Sequence, residues 1–595
     1  MVEFVLFSVN NNELFVGYVV DQKKNTIQLK ILKNNTLENF TTSASRIQKR
    51  WKKEIENEEK LIQELSNINN KLTKNLKISF QKLLPGKYCL EEISEILNEK
   101  DEEFLFIQIL KSDLIKRKGE VYYVLSKEEV KKKRFEKNIK NWNNKNSQLS
   151  EEDSQTLLMQ LQSIFNEDHK SEYWESISRV FGFKKNPLSY EVDLKILFER
   201  LNYKITWDEF YIKKNKLDNN FKMNIDISEI VKEMKKKTEN RINYSTNTFT
   251  IDSKKTRDYD DAFTISFDDE NNMIITVHIT DIASFLPEFP QILNESKARI
   301  KSVYLLDKKF PMMPQELSED LFSLKENAKR LTISYEMLFT KETVEFKSIY
   351  LSKIEVQQNL TYDTAHEHIN EKHWNFLVEC CENIQKRRMK NSENEKQFCD
   401  ECLIDISDKK KIIISKSQRR LLKSNLIINE LAILVNSFEG KYLNQNKIPC
   451  IYKNLSKFSS EPIEKDDIYV QCTSPIRRFA DLINQNQIIS SIEKTKIFSS
   501  KEIEEMIPLI QLKSEEISNL ESKYKKYWIY EFLSQNSEKN FSCEILHILP
   551  HCCEVKFVDY SFILPAHGIK NVKKGDLLDL KFKVDHERLL LNKEK

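Results

Sequence analysis

Glycine, proline and long apolar runs are scarce in this chain. Its 595 residues include 7 Gly and 12 Pro, whereas roughly 7% and 5% are usual, and this scarcity excludes collagen, Gly/Ser linkers and glycine-rich low complexity. No stretch approaches the roughly 20 consecutive apolar residues of a membrane helix. The start, MVEFVLFSVNNNELF, has neither the basic segment nor the small-residue cleavage site of a secretory signal. We therefore expect a cytoplasmic protein that does not contact membranes.

Cysteines are few and the net charge is small. The 10 Cys are too sparse for a disulfide-stabilised secreted scaffold, so reduced thiols are expected. Cys399 and Cys402 form one CxxC pair, but the second well-spaced pair that a zinc site needs is missing. With 95 basic and 92 acidic residues the net charge is only +3. A nucleic-acid partner would therefore have to be bound by local basic patches rather than by the overall charge.

The length predicts several domains, because 595 residues are about four times the ~150 residues of a common domain. A hydrophobic fraction of 39% and a charged fraction of 31% are typical of folded domains. Short strands in residues 1–50 predict a small β-barrel, and residues 51–221 are mainly helical. Strands and helices mix in 222–537, and short strands return in 538–595, where we expect a second barrel. The predicted fold class is multidomain α+β.

The second region contains a further substructure. Apolar residues at helical spacing in residues 45–75 predict a connecting helix. After the Pro85-Gly86 turn, a helical stripe, another apolar run and a hairpin follow in the order of a winged helix. Residues 127–140 carry seven basic and three acidic side chains. This segment could follow a phosphate backbone, although a solvated helix face explains it equally well.

The strongest chemical signal is an acidic cluster. The segment TIDSKKTRDYDDAFTI contains Asp252, Asp258, Asp260 and Asp261 within ten residues. If the fold gathers them, they cannot all stay ionised without a compensating cation, and the DYDD segment must bend. Magnesium suits such hard oxygen ligands, whereas an EF-hand counted from Asp258 would lack its Gly and its final Glu. An acidic turn in solvent is the alternative reading of this segment alone.

A second motif, TSPIRRFAD, predicts an anion site. Ser474 is expected to cap a helix with Pro475 in its first turn, followed by Arg477 and Arg478. A helix N-terminus attracts anions, and arginine forms bidentate hydrogen bonds with phosphate oxygens. A capped helix with surface arginines is the alternative. Together with the acidic cluster, this motif indicates phosphodiester chemistry.

On these residues the chain resembles the ribonuclease II, or RNB, family of exoribonucleases. Five motifs occur in order: TIDSKKTRDYDDAFTI, VHITDIASFL, SVYLLDKKFPMMPQELSEDLFSL, NELAILVN and YVQCTSPIRRFADLI. The resemblance implies an RNB catalytic domain, with a small β-barrel and a winged-helix-like RNA-binding region before it and an OB-type RNA-binding barrel after it. Relatives from cyanobacteria, chloroplasts and Deinococcus have such an N-terminal region. The activity implied is magnesium-dependent, processive 3′-to-5′ hydrolysis of single-stranded RNA to nucleoside 5′-monophosphates.

The resemblance also assigns roles to residues. The metal ligands would be the four aspartates of the acidic cluster, with Asp260 indispensable for the chemistry and Arg477 catalytic beside it. Arg477 and Arg478 would hold the 3′ phosphate region, and the ring of Tyr304 would pack against terminal nucleotides. Glu430 and, after a one-residue gap in the match, Glu521 correspond to acidic positions that touch RNA.

Two other functions compete with this one. An RNA-binding regulator could keep the fold without hydrolysis, although the intact aspartates argue against it. A transcription factor built on the winged-helix segment would bind duplex DNA, and the near-zero net charge gives that reading little support. The favoured reading predicts a monomer whose partner is single-stranded RNA.

Overall fold

The computed structural model divides the chain into two compact units, Met1–Leu201 and Asn202–Lys595. The residues that it describes are 1–9, 13–33, 36–73, 83–97, 99, 101–112, 115–118, 120–144, 148–165, 174–181, 187–222, 226–239, 241–390, 402–416, 422–454, 457–462, 468–586 and 589–594. Cys399 of the CxxC pair lies outside these ranges, and Cys402 is buried. None of the described helices is long and apolar enough to cross a membrane.

The first unit begins with a five-stranded antiparallel sheet in the order β4-β3-β2-β1-β5. The strands are β1 Val2–Val9, β2 Glu13–Lys23, β3 Thr26–Lys33, β4 Thr36–Ser43 and β5 Ile47–Lys53. Apolar side chains alternate along β1, so that Val5 and Phe7 pack in one cluster while Phe4 and Leu6 pack in another. Among the described residues the edge strands β4 and β5 are not paired with each other, so the region predicted as a barrel is an N-terminal β-sheet.

The prediction of a helix across residues 45–75 is wrong at its start. Residues Ile47–Lys53 form β5, which pairs antiparallel with β1, and the ring of Trp51 stacks on that of Phe4 with centroids 5.9 Å apart. A pairing partner over forty residues away therefore overrides the local helical spacing. The helix itself begins only at Glu58.

The rest of the first unit is mainly helical. Its helices are α1 Glu58–Thr73, α2 Leu90–Leu97, α3 Glu102–Lys111, α4 Lys127–Asn143, α5 Glu151–Phe165, α6 Trp174–Phe181 and α7 Pro187–Arg200. Its short strands are β6 Gly86–Tyr88, β7 Ile115–Lys118 and β8 Val121–Val124, in the order β6-β8-β7. Helices α2 and α3 and the β7-β8 hairpin follow one another in the predicted order, and β6 adds a third strand to the hairpin.

The second unit is built on a seven-stranded sheet with the order β17-β10-β11-β12-β15-β16-β9. The strands of this unit before its C-terminal region are β9 Ile242–Tyr244, β10 Thr248–Asp252, β11 Asp261–Phe267, β12 Met273–Thr280, β13 Val303–Tyr304, β14 Lys309–Phe310, β15 Lys329–Phe339, β16 Val344–Glu355, β17 Gln358–Thr361, β18 Cys402–Asp405, β19 Ile413–Lys416, β20 Tyr452–Asn454 and β21 Lys457–Ser459. Its helices are α8 Trp207–Lys214, α9 Ile227–Lys237, α10 Pro290–Arg299, α11 Tyr362–His368, α12 Lys372–Lys390, α13 Lys423–Gln445, α14 Phe479–Glu493 and α15 Ser500–Gln535.

Strand β12 lies near the middle of this sheet and is buried along most of its length. Its odd-numbered residues, such as Ile275 and Val277, belong to the main apolar core. Thr276, His278 and Thr280 belong to a polar layer, in which His278 hydrogen-bonds with Thr264 at 2.8 Å and with Ser334 at 2.7 Å. Because buried polar groups need partners, this layer fixes the register of the strands that lead to the site.

The C-terminal region is a six-stranded curled sheet in the order β25-β22-β23-β24-β27-β26. Its strands are β22 Phe541–Ile548, β23 Cys553–Phe557, β24 Phe562–His567, β25 Leu577–Leu580, β26 Phe582–Asp585 and β27 Leu590–Lys593. Strands β25 and β26 lie at opposite ends of the sheet but are separated only by Lys581, so the sheet must curl to bring its ends together. The rings of Phe557, Phe562 and Phe582 fill its inside. The predicted terminal barrel is thus observed as a half-barrel.

Candidate active site

The acidic cluster lies on the connection between β10 and β11. These strands pair at Thr248 with Thr264 and at Phe249 with Phe263, and the same register carried forward would bring Asp252 opposite Asp260. The chain reverses direction between them, and residues 253–260 lie outside both strands. Ser323 holds the bend, because its hydroxyl donates to the Arg257 carbonyl at 2.7 Å and accepts from the Tyr259 N–H at 3.1 Å.

Asp260 is the most buried carboxylate of the cluster. Its Oδ1 accepts a hydrogen bond from the Ile476 N–H at 2.8 Å, and its Oδ2 lies 3.1 Å from Nε of Arg477. Within the described part of the chain, Oδ2 forms no hydrogen bond of good geometry. Burial raises the pKa of Asp260 well above its ordinary value; Arg477 lowers it, and Asp258 and Asp261 raise it further. A cation closer than Arg477 would therefore stabilise the ionised form of this carboxylate.

Asp258 is held from two sides. The Tyr304 hydroxyl donates to its Oδ2 at 2.6 Å, and Lys309 Nζ lies 2.9 Å from its Oδ1. Both partners come from the β13-β14 hairpin, where Tyr304 and Lys309 are directly paired. Tyr304 nevertheless stays accessible, since 41% of the residue is exposed. Lys309 also contacts Glu319 at 2.7 Å.

The remaining two aspartates are placed differently. Asp261 begins β11, and burial raises its pKa while Arg477 and Arg478 lower it. Asp252 ends β10, and its charge adds to burial in raising the pKa of Tyr259. Across the described ranges, no three His, Cys, Asp or Glu side chains are arranged as a ready metal-binding group. The structure thus groups Asp258, Asp260 and Asp261 around Arg477, whose pKa they raise against the effect of burial.

The TSPIRR segment is a turn, so the prediction that Ser474 caps a helix is wrong. Helix α14 begins at Phe479, with Arg478 at its N-cap in an extended conformation. Arg478 forms a β-bridge with Lys301, which holds it out of the helix. The Ser474 N–H donates instead to Oδ1 of Asp481 in the first turn of α14 at 2.9 Å. Non-local partners therefore shift the helix start by several residues.

The two arginines have different surroundings. Arg477 contacts Asp260, donates from Nη2 to the Ser474 hydroxyl at 3.1 Å and keeps 39% of its side chain exposed. Arg478 donates from Nε and Nη2 to the buried Asp481 at 3.0 Å and 2.6 Å. Arg477 is therefore the arginine that faces the acidic cluster, whereas Arg478 is engaged in an ion pair at the start of α14.

The two glutamates also separate. Glu521 of α15 accepts from the Tyr304 N–H at 3.1 Å and contacts Lys301 Nζ at 3.2 Å, so it lies at the site and positions Tyr304. Glu430 of α13 is fully buried and paired with Arg388 of α12. A direct contact between Glu430 and RNA does not fit this placement. Sequence alone did not reveal the buried position, because Arg388 lies on another helix.

Two adjoining cavities border the site. Their volumes are about 700 Å³ and about 510 Å³, and both are lined by Tyr304, Leu305, Leu306 and Arg477. The larger cavity is also lined by Lys301, Arg478 and Lys525, and the smaller one by Lys255, Arg257, Lys308 and Lys309. The smaller cavity is also lined by four carboxylates, those of Asp258, Asp307, Glu319 and Asp405, so the larger cavity is the clearly basic one. An accessible aromatic ring beside a basic recess suits a negatively charged strand with exposed bases.

Two contributors to the site were missed at the level of sequence. Lys309 belongs to the motif SVYLLDKKF, and a short hairpin over this motif places it opposite Tyr304. That spacing was the available signal. The Ile476 N–H is a backbone donor that any residue type other than proline would supply, so its role left no signal in the sequence.

Comparisons with known proteins match the part of the chain that contains the acidic cluster. The model of the RNB domain matches residues 241–466, which include the four aspartates, Tyr304 and Glu430 but not Arg477, Arg478 or Glu521. Ribonuclease R of Chlamydia pneumoniae is 39% identical over 126 residues, or 21% of this chain and 19% of that protein. The matched segment thus spans about a fifth of this curated relative.

Solved structures share the fold. RNase R of Mycoplasma genitalium, in complex with ribose-methylated single-stranded RNA, gives a TM-score of 0.56 at 18% identity and covers 64% of this chain and 77% of that one. An active-site mutant of the Dss1 exoribonuclease from Candida glabrata gives a TM-score of 0.57 at 17% identity and covers 99% of this chain and 96% of that one. At these identities the likeness concerns the fold alone.

Proposed function

Because this chain is an RNB-domain protein and a homologue of the RNase R and RNase II exoribonucleases, we propose that it hydrolyses single-stranded RNA. The proposed reaction is processive, magnesium-dependent and 3′-to-5′, releases nucleoside 5′-monophosphates, and serves RNA turnover or 3′ trimming. The observation that carries the proposal is the buried Asp260, held by the Ile476 N–H and facing Arg477, which lines both a basic cavity and one of mixed charge.

The residues present fit a divalent cation. The Oδ2 atom of Asp260 is buried beside Arg477 but, among the described residues, accepts no hydrogen bond of good geometry. Carboxylate oxygens are the ligands that magnesium prefers. Asp258 and Asp261 would share the ion with Asp260, and Asp252 would approach from the end of β10. When bound, magnesium supplies Lewis-acid stabilisation of charge on a phosphate.

The chain itself would bind and orient the RNA terminus. The accessible ring of Tyr304 offers a stacking surface that tolerates every base, because each base has a π-face. Its hydroxyl is fixed by Asp258 and its backbone by Glu521, so the ring is held in one orientation. Arg477, with its exposed guanidinium, would neutralise the charge that grows on the scissile phosphate.

A second candidate is an RNA-binding regulator on the same fold. It is favoured by one observation: in the described chain the carboxylates are compensated by Arg477 and Lys309, and no three of them form a ready metal-binding group. Such a protein would bind RNA independently of metal and would not cleave it.

One assay separates the two candidates. The protein is incubated with 5′-labelled single-stranded RNA and magnesium, with and without EDTA, beside Asp260→Asn and the matched surface variant Asp269→Asn, which changes an exposed turn residue. A progressive ladder that is lost with EDTA and with Asp260→Asn, but kept with Asp269→Asn, supports the nuclease. Binding that persists in EDTA without cleavage by the native protein would overturn it and support the regulator.

A further inference from the structure

The first unit contains a basic cleft that the proposed nuclease chemistry does not use. Its volume is about 820 Å³, and it lies between the three-stranded sheet β6-β8-β7 and helices α4 and α6. Six cationic side chains and two carboxylates line it. The cations are Lys87, Lys116, Lys118, Lys132, Lys133 and Arg179.

One wall of the cleft presents an aromatic ring between two lysines. In the sheet, Tyr123 of the central strand pairs with Lys87 on one side and with Lys116 on the other. Side chains alternate along a strand, so Tyr122 and Val124 are buried while Tyr123 faces outward and is half-buried. Lys87 Nζ lies 5.8 Å from the centre of the Tyr123 ring.

The opposite wall is one face of α4. Lys132 and Lys133 share this face with Glu129 and Glu136, because these positions recur at helical spacing. Both acids have bonding partners: Glu129 forms a capping box with Ser126, and Glu136 accepts from Arg179 at 2.9 Å. The carboxylates therefore serve local contacts, and the cleft carries an excess of positive charge.

We propose that this cleft binds single-stranded RNA, as a contact additional to the one proposed for the RNB domain. Lysines on both walls match the phosphates of a strand, and the outward ring of Tyr123 matches an unstacked base. A duplex would offer phosphates to the lysines but would keep its bases away from the ring. The row Lys87, Tyr123 and Lys116 is what favours a single strand over duplex RNA or an acidic protein.

The test uses the full chain in EDTA, so that no metal-dependent cleavage occurs. Binding of a labelled single-stranded RNA 20-mer is measured against salt for Lys87→Ala/Lys116→Ala/Lys132→Ala. The matched control is Lys131→Ala/Arg134→Ala/Lys137→Ala, which removes three charges from α4 residues that do not line the cleft. We expect the cleft variant to bind about tenfold more weakly, with a salt slope smaller by about 2, and the control to stay within about twofold.

Two further readouts assign the site. Tyr123→Ala is expected to weaken binding about fivefold without changing the salt slope, because it removes stacking rather than charge. Photo-crosslinking of RNA that contains 4-thiouridine should label peptides with Tyr123. Equal affinities of the cleft and control variants would overturn the proposal, as would tighter binding of a duplex of the same length or of an acidic protein. Absence of cleavage in magnesium would instead overturn the nuclease function and leave the binding result standing.

Discussion

Two aspartate–arginine pairs lie inside the second unit, and they bond their buried charges in different ways. In the first pair, Oδ2 of Asp281 accepts from Arg241 at 2.5 Å and from the Ser284 hydroxyl at 2.6 Å, and Oδ1 accepts from the Ser284 N–H at 3.0 Å. Arg241 is almost fully buried. In the second pair, Asp260 has the single donor Ile476 at Oδ1, and Arg477 opens to a cavity.

We infer from this difference that the first pair is structural and that the second belongs to the proposed active site. A buried ion pair stabilises a fold only if hydrogen bonds satisfy its remaining lone pairs, and Asp281 meets this condition. Asp260 does not, because its Oδ2 lacks a hydrogen bond within the described chain and two further carboxylates repel it. Residual bonding capacity beside a cavity is what a catalytic centre needs for its substrate and metal. Residue type alone would not distinguish the two pairs.

The largest expected effect tests the functional pair. Asp260→Asn should reduce RNA cleavage by about 10³-fold or more, because the side chain loses its charge at the centre of the cluster. The fold should survive, since burial already disfavours the ionised form of Asp260 and asparagine has the same shape. Thermal unfolding should therefore show an unchanged or higher midpoint. A variant that unfolds would mean that Asp260 is as structural as Asp281.

The structural pair should respond in the opposite way. Asp281→Asn leaves Arg241 buried without a counter-charge, and we expect the free energy of unfolding to fall by about 3 kcal/mol. Urea denaturation measures this loss. At temperatures where the variant is still folded, its cleavage rate should stay close to that of the native protein. Selective loss of turnover without loss of stability would contradict the contrast between the pairs.

Replacement of Arg477 tests whether the Asp260–Arg477 pair acts in RNA binding or in turnover. Arg477→Ala should slow turnover about 10²-fold while it weakens the binding of long RNA much less, because the guanidinium acts on charge that develops at one phosphate. Single-turnover rates and binding constants measured separately check this expectation. Arg478→Ala is the neighbouring control, since Arg478 is engaged with Asp481. Equal losses in both quantities would make Arg477 an ordinary binding contact.

The satisfied polar layer beside the site predicts a dependence of stability on pH. Burial lowers the pKa of His278 to about 3, and both of its ring nitrogens have partners. In the unfolded chain this histidine binds a proton near pH 6.5. The stabilisation that neutral His278 contributes is therefore complete above that pH and is lost as the pH falls toward 3. The free energy of unfolding should fall by up to about 1.4 kcal/mol for each pH unit of acidification in this range. Urea titrations from pH 7 to 5 measure it, and His278→Gln should flatten it.

The sequence predicted the local features of the site well. Four aspartates in one short segment predicted a cluster of carboxylates, and the structure groups Asp258, Asp260 and Asp261 around Arg477. Strands β1 to β3 and the strands of the C-terminal region followed from short apolar runs between polar turns, whereas β4 and β5 did not. These features depend on neighbours in the chain, which is why they were visible.

Features that depend on distant partners were not visible. The helix start at Ser474 was wrong because Lys301 and Asp481 hold the segment in another conformation. Residues Ile47–Lys53 were predicted as part of a helix, but they form a strand because they pair with β1. The burial of Glu430 depends on packing between helices α12 and α13. In each case the structure depends on a contact between residues distant in the sequence, which local preferences do not reveal.

The smallest expected effect concerns the hydroxyl of Tyr304. Tyr304→Phe removes the hydrogen bond to Asp258 but keeps the ring, so turnover should fall by less than about tenfold with KM unchanged. Tyr304→Ala removes the stacking surface as well and should raise KM about tenfold or more. Steady-state kinetics on the same single-stranded RNA separates the two. If Tyr304→Phe lost as much turnover as Asp260→Asn, the hydroxyl would belong to the reacting groups. Its acceptor Asp258 would then be as important for the reaction as Asp260.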